Sequence, residues 1–474
     1  SEKCCMKKID FWSIGLILLI VFFLGFQSYY ISNEAVTNDE TLYAWYVHLL
    51  REDPSAIFSP ELWQFHPPLV PLLASLFWFI DPLTSMRIVS ILLGALSIFL
   101  IGIIGKKYAG PWEGLTAASL VGLNSFVVGY SHFGLLDTVL VAASCLIGLG
   151  WLTRDENPSR AKWLMAAGVF LAIFSKRSGF MVVGVWVIGM IVFRFLPKRR
   201  QSISTHLKLH WKEIIWCVCV SAFAWIFSGI FDRGIFSFYD YSAGYLSILL
   251  HTIPSLKYIV PGWAAILLFI GYFDIKTILE KERIFFIGWI GVFGMALFFP
   301  YFDPRYFFPA LPAVGLLATL GASRVCQFFS LPKWLSFVGI VFLLAPGLIA
   351  LGNNFSYTAI EIGYADAGAW LATHARGAVV YDPLEREIRY FSGFELEQWG
   401  GTIIKFPNTP SEFLHSLAQH PKPIFAVVAN WPNFYSPFYP TDSFLLDQNF
   451  TLAYSVERMV GGKPVSVIRI YHYS

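Results

Sequence analysis

The chain has 474 residues, of which 56% are hydrophobic and only 14% charged, and its mean hydropathy is +0.59. Soluble proteins carry roughly 25% charged residues, so this composition excludes a soluble globular enzyme, a disordered chain and a disulfide-rich secreted module. The net charge of +3 is too small to point to nucleic acid. A polytopic membrane protein is left.

A helical span needs about 20 mostly apolar residues. Runs of this kind fall at 11–31, 86–105, 113–131, 135–152, 163–175, 178–196, 211–231, 254–273, 284–301, 304–322 and 334–352, which predicts about eleven transmembrane helices. Lys3, Lys7 and Lys8 precede the first run and no small-x-small cleavage site follows it, so it reads as a retained anchor. Basic residues then collect on one side. They are Lys106 and Lys107; Arg154, Arg160 and Lys162; Arg194, Lys198, Arg199, Arg200, Lys208 and Lys212; Lys276, Lys281 and Arg283; and Arg324 and Lys333. The positive-inside rule gives an inner N-terminus and an outer C-terminal region. Residues 163–193 contain only Lys176 and Arg177 as charges, and the basic clusters at both ends favour a hairpin of two short spans over one long span.

The first outer segment, 32–85, mixes polar and apolar stretches and is dense in Tyr43, Trp45, Tyr46, Trp63 and Trp78. Residues 67–80 are too few to span, so one or two helices lying at the membrane interface are expected there. The second outer segment is 232–253. None of the six cysteines falls in an outer segment, so no exported disulfide framework is indicated. Past residue 352 the composition changes. Strand-like runs at 378–381, 424–428, 451–456 and 465–471 alternate with amphipathic stretches at 366–374, 384–391 and 411–419. This predicts a division into a membrane domain, 1–352, and a small α/β domain outside the membrane, 353–474.

The residues with chemical potential gather on the outer side. Asp39 and Glu40 follow the first span, where a carboxylate either lines a polar loop or takes the proton of an acceptor hydroxyl. His66 opens the run His66-Pro67-Pro68-Leu69 and is either a structural hydrogen-bonder or a substrate ligand. Asp137 starts a span, as an N-cap or as the third member of an acidic cluster with Asp39 and Glu40. Asp39, Glu40, His66 and Asp137 permit a divalent cation without requiring one. Arg87, Lys176, Arg177 and Arg305 sit at outer mouths of spans against the topological bias. Each alone is explained by snorkelling, and together they suit an anionic phosphate. Tyr301-Phe302-Asp303-Pro304-Arg305-Tyr306 adds Asp303 and Tyr306, and with Tyr43 these suit a sugar. No phosphate-cradling glycine loop is present, so no nucleotide cofactor is expected.

The order Asp39-Glu40, His66-Pro67-Pro68-Leu69, Arg87, Leu135-Leu136-Asp137-Thr138, Lys176-Arg177 and Asp303-Pro304-Arg305-Tyr306 followed by Pro309-Ala310-Leu311-Pro312 resembles the GT-C membrane glycosyltransferases. It is most similar to the prokaryotic members of the branch holding protein O-mannosyltransferases and lipid A aminoarabinose transferases. The resemblance covers residues 10–320. It implies a GT-C fold and a polyprenyl-phosphate-linked sugar donor of dolichyl type. It also implies an acceptor hydroxyl on a glycan, lipid or protein, and inverting transfer at the extracytoplasmic face of a multi-pass membrane protein. Asp39, with Glu40 beside it, matches the family's base, Asp137 its second acid, Arg87 its span-opening arginine, and Lys176 or Arg177 its donor-phosphate contact. The large loop domain of eukaryotic protein mannosyltransferases is missing, since only 232–253 separates spans seven and eight. The competing class is a polyprenyl-lipid or sugar transporter or flippase, which would line a midplane path with its charges and show inverted repeats. Neither feature is evident. Sugar, acceptor, lipid length and oligomeric state are not legible. Sequons at Asn354-Phe355-Ser356 and Asn449-Phe450-Thr451 are compatible with an archaeal or otherwise N-glycosylating host.

Overall fold

The computed structural model describes residues 10–31, 37–63, 66–195, 260, 262–272, 281–294, 304–354, 363–382, 386–392, 401–407, 409–420, 423–429, 440–460 and 463–473. The expected span 211–231, the segment 232–253, Cys217, Cys219 and Asp303 lie outside these residues. The chain divides into two compact units, one drawn from residues 1–31 and 49–352, the other from 32–48 and 353–474.

The first unit is helical, and its helices start where polar caps meet apolar runs. Asp10 accepts from the Ser13 N–H at 2.8 Å and opens α1, Phe11–Tyr30. Helix α2, Asn38–Glu52, follows and runs from the second unit into the first. A 3₁₀ turn at Pro54–Phe58, α3 at Pro60–Trp63 and α4 at Leu69–Ser75 fill the stretch expected to carry short helices. Asp81 accepts from the Thr84 N–H at 3.0 Å and Pro82 takes the first helical position of α5, Pro82–Tyr108. Proline there sacrifices only an orphan donor, while Lys106 and Lys107 complement the dipole at the far end. Its 27 residues reach roughly 40 Å at 1.5 Å each, more than the thickness of a bilayer core.

Helices α6 (Pro111–Gly122), α7 (Ser125–Ser131), α8 (Asp137–Thr153), α9 (Pro158–Ser175) and α10 (Phe180–Phe195) follow. Between α9 and α10 the chain breaks: Lys176 is extended, at φ −149° and ψ 142°, and residues 177–179 form a 3₁₀ turn. The stretch 163–193 is therefore two helices. Then come α11 (Gly262–Tyr272), α12 (Lys281–Gly294), a 3₁₀ segment at Pro304–Ala310, α13 (Leu311–Phe328) and α14 (Trp334–Asn354). Among the described residues, Phe11–Tyr29, Pro82–Tyr108 and Arg305–Phe328 are long and apolar enough to cross a membrane. Asp137–Thr153, Phe180–Gly189 and Trp334–Ile349 are shorter apolar helices. Helices α11 and α13 cross at Gly271 and Gly321, where a Cβ on either would run into a backbone carbonyl of the other helix. Small residues at such a crossing let two apolar helices approach closely without a hydrophobic drive between them.

One end of this unit is held by charge. Lys106 pairs with Asp10 at 2.9 Å and lies over the Trp12 ring, and Lys107 pairs with Glu156. Glu113, buried in the first turn of α6, accepts from Lys333 at 2.6 Å and from the Ser323 hydroxyl at 3.1 Å. These contacts join the start of α1, the end of α5, the start of α6, the turn after α8, the later turns of α13 and the start of α14.

The second unit has a five-stranded sheet in the order β2-β1-β3-β5-β4, from β1 (Val379–Asp382), β2 (Thr402–Lys405), β3 (Ile424–Ala429), β4 (Phe450–Val460) and β5 (Lys463–Tyr473). Strand β1 is parallel to β2 and β3, β5 is antiparallel to β3, and β4 and β5 form a hairpin. Helices α15 (Tyr364–His374), α16 (Arg386–Phe391), α17 (Pro410–Gln419) and α18 (Asp442–Asp447) accompany it. Alternate residues of the strands feed two cores. Val380, Ile403 and Val427 pack with Leu371 and Ile388, whereas Tyr381, Ala426 and Val428 pack with Phe413 and Leu445. Helices thus cover both faces, the arrangement that alternating strands and helices produce. Strand β2 and helix α18 are additions to the elements expected from sequence.

Candidate active site

The end of the helical unit opposite its ion pairs holds the outer-side residues singled out above. Asp137 is the first residue of α8. The cap position is Leu136, which makes no side-chain cap bond, so Asp137 is not an N-cap. Its Oδ1 instead accepts from Lys176 Nζ at 2.6 Å, across 39 residues of sequence. Both side chains are buried, at 3% and 7% exposure. The extended break between α9 and α10 is what frees Lys176 from a helical ladder and turns it towards α8. Asp137 Oδ2, also buried, has no hydrogen-bond partner among the described residues. Lys176 Nζ lies 5.3 Å from the centre of the Tyr306 ring, and the Arg305 guanidinium 5.9 Å from that of Tyr130, both within cation–π range.

Arg87, on the first turns of α5, is 2% exposed, and its Nη1 donates to the Ile31 carbonyl at the end of α1 at 2.8 Å. It is an interior tie between α1 and α5. Beside it lies His132, in the turn between α7 and α8 and 1% exposed. Burial, and next the Arg87 charge, push this imidazole down to about 3, while the Val128 carbonyl accepts from it. The same carbonyl accepts from Gln27 Nε2 at 2.8 Å. Ser90, one turn beyond Arg87, places its hydroxyl 3.1 Å from that of Thr138. A Cβ at Gly134 would meet that of Met86 at 2.6 Å, so only glycine lets the turn ahead of Asp137 lie this close to α5.

The structure therefore brings Asp137, Lys176 and Tyr306 together. Asp39 and Glu40 stand in the first turn of α2, where acids complement the helix dipole; Glu40 is fully buried, and its N–H donates to Thr37 Oγ1 at 3.2 Å. They and the buried Tyr43 belong to the second unit. His66 is half-buried just ahead of α4. The Arg177 side chain, like Asp303, lies outside what is described. Among the described residues no three His, Cys, Asp or Glu side chains gather at one point. His132, Gln27 and Ser90 carry no signal in sequence beyond being polar in apolar surroundings. The spacing of Arg87 and Ser90, one turn apart, was the one available hint that this face of α5 meets other polar groups.

Residues 65–227 match the family model for dolichyl-phosphate-mannose-protein mannosyltransferase, a stretch that includes Arg87, Asp137 and Lys176. No curated protein sequence matches the chain. Among solved structures, apo ArnT from Cupriavidus metallidurans superposes with a TM-score of 0.61 at 14% identity, covering 97% of this chain and 98% of that one. The chain has the GT-C fold. The chain is also similar to the archaeal oligosaccharyltransferase AglB from Archaeoglobus fulgidus, solved with an inhibitory peptide and a dolichol-phosphate. There the TM-score is 0.56 at 11% identity, covering 88% of this chain and 69% of that one. Arabinofuranosyltransferase AftD from Mycobacteria gives 0.55 at 16% identity, over 96% of this chain but only 39% of that one. ArnT has also been solved bound to undecaprenyl phosphate, and that form superposes with a TM-score of 0.56 at 15% identity, over 96% of this chain and 97% of that one.

Proposed function

We propose that this chain is a glycosyltransferase of the extracytoplasmic membrane face, with an inner N-terminus and an outer C-terminal domain. It moves a sugar from a polyprenyl phosphate to an acceptor hydroxyl of a glycan, lipid or protein, with inversion. The observation that carries the reading is the buried Lys176–Asp137 pair beside Tyr306. Two charges withdrawn from water seldom repay their desolvation, and among the described residues one carboxylate oxygen is left over. Such a pair is poor scaffolding and is better explained by a ligand. Lys176 is the cation that meets the lipid phosphate, and Arg305 adds charge from the next segment. Asp137 acts through Lys176 as a positioning residue, holding the ammonium where the phosphate arrives.

The acceptor oxygen bonds to the anomeric carbon as the bond from that carbon to the phosphate oxygen breaks. Asp39 takes the acceptor's proton, and the lipid phosphate departs with the electron pair, stabilised by Lys176 and Arg305. Holding donor and acceptor in line supplies much of the acceleration. Asp39→Asn is expected to abolish sugar transfer in the purified chain while polyprenyl phosphate still binds. Transfer undiminished in that variant sinks the mechanism. Mass spectrometry of the lipid-linked sugar that copurifies names the donor.

A further inference from the structure

Three large apolar side chains stand in the open on the turn joining α4 to α5: Leu76 at 68%, Trp78 at 77% and Phe79 at 69% exposed. Isolated exposed apolar residues are ordinary, but three within four positions are not. The backbone beneath them is the sharper observation. Arg51, in the last turn of α2, donates through Nη1 to the Ile80 carbonyl at 2.7 Å. Its Nη2 donates to the Phe77 carbonyl at 2.9 Å, the Ala74 carbonyl at 3.4 Å and the Ser85 hydroxyl at 2.8 Å. Ser85 passes its own proton to the Asp81 carbonyl at 2.8 Å. The turn adds N–H bonds from Phe77 to Ala74 and from Ile80 to Phe77.

A turn in water has no need of this, because water satisfies its carbonyls. A turn at the edge of hydrocarbon does need it, since polar backbone there must find partners within the protein. Arg51 gathers the carbonyls inward while the apolar side chains point out. The chain then enters α5, whose exposed Leu92, Leu96 and Phe99 continue the apolar surface along one face of a membrane-length helix.

We infer that residues 76–80 are a wedge seated in the interfacial layer of the bilayer, and that Arg51 is the residue that makes its backbone compatible with that layer. The inference rests on the membrane reading of the chain and adds to it an assigned lipid-contact site and a role for Arg51. The partner is the lipid surface itself: an aromatic ring with one polar edge and a neighbouring phenyl suit the boundary between headgroups and acyl chains.

The test places photoreactive benzoylphenylalanine at Phe79, Leu96 or Thr451 of the full chain in vesicles of phosphatidylcholine and phosphatidylglycerol, with lipid adducts read by mass spectrometry. Thr451 is exposed on β4 and serves as the aqueous control. Adducts at 79 and 96 but not at 451 are expected. Adducts at 96 without any at 79 overturn the wedge while leaving the membrane reading intact, and adducts at neither overturn both. Arg51→Ala should cut the yield at 79 several-fold while the yield at 96 is kept. Arg51→Lys, which keeps the charge but cannot fork across several carbonyls, should fall between the two. An undiminished yield at 79 in both variants refutes the role of Arg51. If Arg51→Ala fails to fold, Arg51→Lys decides.

Discussion

Removing Lys176 tests whether the pair with Asp137 is scaffold or site. In Lys176→Met the Asp137 carboxylate stays buried at 2% exposure, having lost the bond to Oδ1 and with no partner for Oδ2 among the described residues. Leaving one member of a buried pair uncompensated costs about 3–5 kcal/mol. Removing both charges together, in Asp137→Leu with Lys176→Met, is often neutral or even stabilising by about 1–4 kcal/mol. The double variant should therefore regain most of the stability that the single variant loses. Denaturant unfolding of Lys176→Met, Asp137→Leu and the double variant in detergent micelles, followed by tryptophan fluorescence, gives the three differences from the parent chain, and sugar transfer is measured on the same samples. The expected pattern is a strongly non-additive cycle with transfer absent throughout, including in the stable double variant. Additivity within about 0.5 kcal/mol, the behaviour of independent sites, would refute the pairing. Transfer retained in the double variant would refute its place in the chemistry.

His132 has its pKa lowered by folding to about 3, so between that value and its ordinary 6.5 the unfolded chain binds a proton that the folded chain refuses. Stability is then intact above pH 6.5 and lost as pH falls; about 2 kcal/mol should go between pH 7 and 5, seen as a slope in unfolding free energy that His132→Gln lacks. A wild-type slope no steeper than the variant's would count against this environment. At the α11–α13 crossing, Gly321→Ala puts a methyl group against the Leu267 carbonyl and must force the helices apart. Overpacking of this kind costs roughly 1–3 kcal/mol or more, read as a lower unfolding midpoint; an unchanged midpoint would mean the helices do not cross there.

What could be read in the sequence was whatever the chain writes along its own length. The basic clusters flanking 163–193 give the hairpin because a charge at a span end is a local signal. The same holds for the strands of the second unit, whose apolar runs are long enough to stand out. Strand β2 does not stand out: Thr402-Ile403-Ile404-Lys405 is four residues with polar ends, and it becomes a strand only because β1 offers it a parallel edge. The pairing of Asp137 with Lys176 was invisible for a related reason. It depends on how α8 lies against the break between α9 and α10, so sequence supplied both residues but offered one as a cap or a member of an acidic cluster with Asp39 and Glu40, and the other as a contact to the donor phosphate. Arg87 stood out as a lone cation at a span mouth, yet nothing local says that its guanidinium turns inward to Ile31. His132 had no motif at all, and its neutrality is set by burial and by a charge that arrives from α5.

The ion pairs at one end of the helical unit bear on how it can move. Lys106 with Asp10, Lys107 with Glu156 and Lys333 with Glu113 act as a hinge pin, fastening α1, α5, α6, α8 and α14 at their shared base. Rods fastened at one end sweep their widest arcs at the other, and there the carboxylate of Asp137 meets the ammonium of Lys176. Any loosening of the bundle is thereby directed to the end that holds this buried pair rather than to the base.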